Sequence, residues 1–313
     1  MRAEIFFTAF LGILPILLLI SLGYALGRIQ FLGPAFLTEL NKLTYYIAIP
    51  AFLIVNIARA ELSEGMLLPA IVAMSITVIL VAAAGYLIPR LRGESHLRAA
   101  SLSQCGFRSN TVFIGLPLLV FCLPEEHPAL KLAILLIAPS SALLNIITVL
   151  VFVLPSHHLG KSLGGLLRGL FTNPLILAAL SGFLLLWFGM PIPRPMDISL
   201  GLIGNLALPL ALFCIGGSLV EFRPAQSGAI ALFPIFQKLA VAPLLAWCLC
   251  WLGGLNQDIT LVVVVFCACP TATATYTLAC QMGGDRLMTS TCIALTTLLS
   301  IPTLVLILSL LLP

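Results

Sequence analysis

Ten apolar runs joined by short polar connections leave this chain few ways to fold. They cover approximately Ile5–Leu26, Leu37–Ile57, Met66–Ile88, Ala99–Phe121 and Leu130–Leu154, then Leu175–Gly189, Leu200–Val220, Ile230–Leu252, Ile259–Gln281 and Met288–Leu311. Most approach the roughly 20 residues that a helix needs to cross a hydrocarbon layer. In lipid every backbone N–H and C=O must find a partner within the chain, so runs of this length are expected to be helices. Of the 313 residues 61% are hydrophobic and only 8% charged, too little charge to coat a soluble domain of this size. The expected fold class is therefore all-α integral membrane, multi-pass, in the cell membrane. A net charge of +4, small and dispersed, argues against nucleic acid as a partner. Met1 to Gly27 has Arg2 ahead of an apolar run, like a signal peptide, but that run is long and Glu4 lies close to it. It is read as a first span.

The longest interior connection, Pro155 to Asn173, carries His157, His158, Lys161 and Arg168. It divides the chain into a first five-helix repeat (1–155), a cytoplasmic hinge (156–173) and a second repeat (174–313). Asn173-Pro174 opens the sixth run as a cap followed by proline at the first helical position. I-A-I-P-A-F-L-I around Pro50 resembles L-A-L-P-L-A-L-F around Pro209, an offset of 209 − 50 = 159. The fourth and ninth runs align at 270 − 108 = 162, which sets Cys105 on Cys267 and Arg108 on Pro270. An odd number of spans per repeat makes the second half run opposite to the first, an inverted repeat. Arg28, Arg90, Arg92, Arg98, Lys161, Arg168, Arg223 and Arg286 fall on one side; Arg2, Arg59, Lys131 and Arg194 fall on the other. The positive-inside rule puts the richer side in the cytoplasm and both termini outside.

Two of the runs are interrupted at matching places. The fourth holds C-G-F-R-S-N-T-V-F-I-G-L-P from Cys105 to Pro117, with Arg108, Ser109, Asn110 and Thr111 inside the apolar stretch. The ninth holds C-A-C-P-T-A-T-A-T-Y-T-L-A from Cys267 to Ala279, where Pro270 removes a backbone donor. Interrupted spans in both halves are the best pointer in a sequence to a transporter's binding site. Candidate substrate contacts are Arg108, Ser109, Asn110, Thr111, Thr271, Thr273 and Thr275, with Gly115, Pro117 and Pro270 marking the helix breaks. Arg108 offers a carboxylate a two-pronged donor, or snorkels to the headgroups. Asn110 contacts substrate, or packs the bundle through an interhelical hydrogen bond.

Lys42, Arg108 and Lys238 lie in or against the spans, whereas Glu39, Asp258 and Asp285 fall near predicted ends. Basic groups without buried carboxylates suit an anionic cargo that supplies the missing charge. Lys238 occupies the place of a coupling cation, meets the C-terminal end of a half-helix, or snorkels. Asn145, with Ser140 and Ser141, reads as packing in the fifth span, and Lys42 and Glu39 beside Tyr45 and Tyr46 as an interface anchor. Asn205 faces the site or is structural, and Gly216-Gly217 permits close helix contact.

The nine cysteines lie mostly within apolar runs and form no C-x-x-C. Packing is the expected role, with no metal and no cofactor. His96, His127, His157 and His158 all fall at loops. There is no H-E-x-x-H, no G-x-S-x-G and no pair of membrane aspartates, so an enzyme is not expected.

F-R-S-N-T-V-F-I-G-L-P-L (Phe107–Leu118), L-A-L-P-L-A-L-F-C-I-G-G-S-L (Leu206–Leu219) and P-T-A-T-A-T-Y-T-L-A-C-Q-M-G-G-D (Pro270–Asp285), in that order and spacing, resemble the auxin efflux carrier family. That family includes bacterial malonate and other organic-acid carriers and the plant PIN-type auxin carriers. The resemblance implies ten transmembrane helices as a 5+5 inverted repeat, with broken helices 4 and 9 crossing at the site. It further implies elevator-type movement and a homodimer. By position Asn110 matches the asparagine beside the first crossover and Pro270 marks the second. The long cytoplasmic loop of the plant carriers has no counterpart here. The function expected is secondary transport of a small organic anion, such as malonate, malate or an auxin-like acid, with lipid as the surroundings. Alternatives are a sodium- or proton-coupled symporter of the bile-acid carrier type, and a membrane sensor that binds ligand without moving it.

Overall fold

Hydrophobic sequence this continuous forms helices, and the architecture is set by where proline, glycine and polar residues interrupt them. The structure, a computed structural model, describes residues 2–59, 65–153, 171–221 and 229–312, and among these every regular element is helical. In the first half α1 is Arg2–Arg28, α2 Pro34–Leu43, α3 Ile49–Ala58, α4 Leu67–Leu91, α5 His96–Phe107, α6 Leu116–Cys122 and α7 Pro128–Val153. In the second half α8 is Pro174–Trp187, α9 Arg194–Asn205, α10 Ala207–Ser218, α11 Leu232–Phe236, α12 Ala242–Leu252, α13 Gln257–Ala268, α14 Ala274–Gln281 and α15 Arg286–Leu311.

Among the described residues six helical stretches are long and apolar enough to cross a membrane: Pro34–Ala58, Leu67–Leu91, Pro128–Phe152, Arg194–Ser218, Leu232–Leu252 and Arg286–Leu311. Four shorter apolar stretches are Leu14–Arg28, Thr111–Cys122, Pro174–Trp187 and Gln257–Ala268. Of the expected hinge only 171–173 are described; His157, His158, Lys161 and Arg168 lie outside the described residues, as does Arg223.

Among the described residues three single turns of π-helix, Thr44–Ala48, Thr111–Gly115 and Gln237–Val241, join α2 to α3, precede α6, and join α11 to α12. Each is followed two residues later by a proline: Pro50, Pro117 and Pro243. Proline lacks an N–H and its ring presses on the carbonyl four residues back, so widening the preceding turn relieves both problems. Pro15, Pro89, Pro139 and Pro302 sit inside α-helices without such a turn, so proline alone does not dictate it. Gly115 and Pro117 were expected to mark the break of the fourth span. The helix in fact stops earlier: α5 ends at Phe107, Arg108 to Asn110 are extended or irregular, and Gly115 and Pro117 lie within the resumed helix.

Two sets of packings stand out. In one, α1 packs on α10, and α8 and α9 pack on α3; in the other, α4, α5, α7, α12, α13 and α15 share one another's faces, and α1 also packs on α6 and α15 and α8 on α7. Glycine permits the tightest contacts of the first group. A Cβ on Gly23 would fall on the Phe213 carbonyl oxygen, and one on Gly182 would fall 3.2 Å from the Ile54 carbonyl oxygen. The two contacts are reciprocal at one offset, since 182 − 23 and 213 − 54 both equal 159. In the second group Gln237 donates to the Val81 carbonyl at 2.7 Å and lies against Gly85 and Gly106. Gly106→Ala would drive a methyl into the Gln237 amide, and a lowered unfolding temperature in detergent is expected, restored in part by Gln237→Ala.

Candidate functional site

The two interruptions meet. Ser109 and Thr271 form an isolated antiparallel bridge, the Asn110 N–H donates to the Pro270 carbonyl at 2.9 Å, and the Ala272 N–H donates to the Arg108 carbonyl at 2.9 Å. Proline suits position 270 because only its carbonyl is used. The bridged residues are 271 − 109 = 162 apart, the same offset that aligns the fourth and ninth runs. Each interruption thus supplies the backbone partners the other lacks, as a low-dielectric interior requires.

A cavity of about 620 Å³ opens beside this junction. Arg108, Ser109, Asn110 and Thr111 line it from the first interruption, Thr273 and Thr277 from the second, and Tyr45, Tyr46 and Leu175 face them from the first packing group. No acidic side chain is among its described lining residues. A smaller chamber of about 240 Å³ adjoins it and shares Thr38, Asn41, Phe113, Thr273 and Thr277. Two helical segments begin at the cavity, at Thr111 and Ala274, so their unpaired N–H groups and partial positive ends face it.

Arg108 is 8% exposed and faces no carboxylate. Its Nη1 donates to the Leu144 carbonyl at 3.1 Å and to Thr148 Oγ1 at 3.0 Å, and its Nη2 donates to Asn145 Oδ1 at 2.7 Å. Nε has no partner. A guanidinium carries five N–H groups, so one on Nε and one on Nη2 are left over. Asn145, expected to be packing, instead orients this arginine. Asn110 caps the Thr111 turn by accepting the Phe113 N–H at 3.3 Å on Oδ1, which leaves its NH2 group free to donate.

Two of the seven expected contact residues do not reach the cavity. Thr271 is buried; its hydroxyl donates to the Cys105 carbonyl at 2.8 Å and its N–H to Thr296 Oγ1 at 3.0 Å, so it clamps α5 to α15. Thr275 is buried too, with no partner for its hydroxyl. Thr271 precedes the helix that starts at Ala274 and is held by its own bonds; Thr273 and Thr277, four apart, line the cavity, and Thr275 between them points away from it. Lys238 is wholly buried in the third π turn and does not line the cavity. It donates to Ser109 Oγ and, at 3.0 Å, to the Cys267 carbonyl in the last turn of α13. Lys42 pairs with Glu39 at 2.7 Å and, with Tyr45 and Tyr46, forms part of the cavity wall. Asn205 is exposed and outside it. Among the described residues no group of three His, Cys, Asp or Glu side chains could hold a metal ion.

The sequence model of the family described as Membrane transport protein matches residues 8–308. The chain belongs to this family. It is the auxin efflux carrier family that the motifs resemble, and the chain is accordingly a transmembrane transporter. An "Uncharacterized transporter" of Methanothermobacter thermautotrophicus is 27% identical over 295 residues, covering 92% of this chain and 94% of the relative. A "Putative malonate transporter" of Rhizobium meliloti is 24% identical over 302 residues, covering 93% and 92%.

Proposed function

We propose that this transporter is a secondary carrier of small organic anions, with the cargo carboxylate held at the paired interruptions. The observation that carries the reading is Arg108: a buried cation on the cavity wall, without a carboxylate partner and with two N–H groups unused. A buried charge left alone costs several kcal/mol unless something compensates it. An anionic cargo supplies that compensation. The Asn110 amide and the segment ends at Thr111 and Ala274 add neutral donors. The name of the Rhizobium meliloti relative is consistent with a small carboxylate.

In this reading the chain is ten spans in two inverted repeats of five. The α5–α6 and α13–α14 pairs cross at the interruptions. The group built on α4, α5, α7, α12, α13 and α15 moves as one body against the group built on α1, α3, α8 and α10. Reciprocal glycine contacts at an offset of 159, and the bridge at 162, support the repeat. The cavity lies between the two groups, which supports an elevator-like movement. The loops after odd-numbered spans face the cytoplasm.

Thermal unfolding of the purified protein with malonate, malate, indole-3-acetate and a bile acid, each with and without sodium, tests the reading. A ligand at a hundred times its dissociation constant stabilises by about 2.7 kcal/mol. Stabilisation by a small carboxylate, independent of sodium and lost in Asn110→Ala, is expected, together with loss of uptake in vesicles. Sodium-dependent stabilisation by the bile acid alone, or none by any of the four, would overturn it.

A further inference from the structure

Arg108 and Lys238 are the two charged side chains buried among the described residues, and no acidic side chain is buried with them. They flank one residue. Arg108 precedes Ser109 in the chain, and Lys238 donates to the Ser109 hydroxyl from behind the cavity wall. A serine hydroxyl that accepts from an ammonium has its own proton left to donate, and Ser109 is a lining residue. A ligand facing Ser109 therefore meets an O–H donor polarised by a positive charge. Hydrogen-bonded chains of this kind strengthen link by link in a low-dielectric interior.

We propose that Lys238, acting through Ser109, is a specificity-determining group that makes the site select dicarboxylates over monocarboxylates. The inference rests on the carrier reading above and assigns its charge class. Arg108 and Lys238 together give the interior two positive charges. A cargo with two carboxylates neutralises both, one taken by the unused Nη2 N–H of Arg108 and one by Ser109 and the Asn110 amide. A cargo with one carboxylate leaves a buried charge uncompensated, which the interior penalises. Lys238 is a positioning residue in this scheme: it touches Ser109 and the Cys267 carbonyl, and not the cargo. The competing role is structural, since an ammonium at the C-terminal end of α13 also offsets that helix's partial negative charge.

The charge class of the preferred ligand separates the two roles. Malonate and malonamate, in which one carboxylate becomes an amide of nearly the same shape, are titrated into wild-type protein and into Lys238→Gln. The wild type is expected to favour malonate at least tenfold. In Lys238→Gln that preference is expected to fall at least tenfold, chiefly through weaker malonate binding. A lower unfolding temperature with the malonate-to-malonamate ratio unchanged would establish the structural role and overturn the proposal. If Lys238→Gln does not fold, Ser109→Ala decides, because it keeps the ammonium and cuts the relay: the ratio should fall there too, and an unchanged ratio overturns the proposal. A wild type that binds both equally, or prefers malonamate, overturns it without any variant. A wild type that binds neither removes the small-carboxylate reading itself.

Discussion

Arg108→Met is expected to weaken carboxylate binding at least a hundredfold, about 2.8 kcal/mol, without lowering the unfolding temperature of the ligand-free protein. The two halves of that expectation come from one observation. The guanidinium is buried among neutral acceptors, Leu144, Asn145 and Thr148, and no carboxylate repays its desolvation. Removing a buried cation of that kind is often neutral or stabilising, because the unfavourable burial goes with it. The Leu144 carbonyl keeps a donor in Thr148, whose hydroxyl lies 2.7 Å away, so the substitution orphans little. A ligand, by contrast, loses a charged donor on the cavity wall. Arg108→Lys should fall between the two, since it keeps the charge and loses the planar edge. Calorimetric titration and thermal unfolding on the same preparations check both halves. A large drop in unfolding temperature with unchanged affinity would make Arg108 a structural residue.

Gly216→Ala is expected to destabilise the fold by roughly 1–3 kcal/mol, the usual range for overpacking, whereas Gly201→Ala should stabilise it by about 0.5–1 kcal/mol. Both glycines are helical. The difference lies in what a methyl would meet. At Gly216 an added Cβ would come within 2.8 Å of the Ile20 carbonyl carbon and the Tyr24 nitrogen, backbone atoms that can retreat only if α1 moves. At Gly201 nothing lies within 4 Å. In a bilayer, helices associate through close packing and not through exclusion of water, so separating α1 from α10 forfeits contacts that nothing else replaces. Denaturant titration in detergent measures both variants. Equal stability of Gly216→Ala and wild type would mean the α1–α10 contact is looser than described.

Much of this was legible in the string because hydropathy and backbone chemistry are local. The apolar runs located the helices, and an arginine and an asparagine inside one of them, with a proline in its counterpart, located the interruptions. Glycine and proline at 115 and 117 misled because their local preference is for breaks. The chain accommodates Pro117 by widening one turn, which depends on what packs around it. Thr271 and Thr275 miss the cavity, and Thr273 meets it, for a geometric reason: T-A-T-A-T alternates in sequence, and the helix start at Ala274 decides which side chains turn toward the cavity. Asn145, Tyr45 and Leu175 reach the site through contacts between distant segments. A single asparagine in the middle of an apolar run was the one local sign of the first.

The bridge between Ser109 and Thr271 also bears on the order of synthesis. Arg108 to Asn110 leave the ribosome 162 residues before their backbone partners, since 271 − 109 = 162. At roughly 5–20 residues per second that is an interval of about 8–30 s. Throughout it an arginine and several unpaired amide groups sit in a segment bound for the bilayer, where no water can serve them. The nascent first half therefore needs shelter, from the insertion machinery or from a temporary partner, until Pro270 to Ala272 arrive. A fragment ending at residue 155 should be degraded when made alone and rescued when the fragment from 174 onward is made beside it. Assembly of this transporter finishes at its centre, and last.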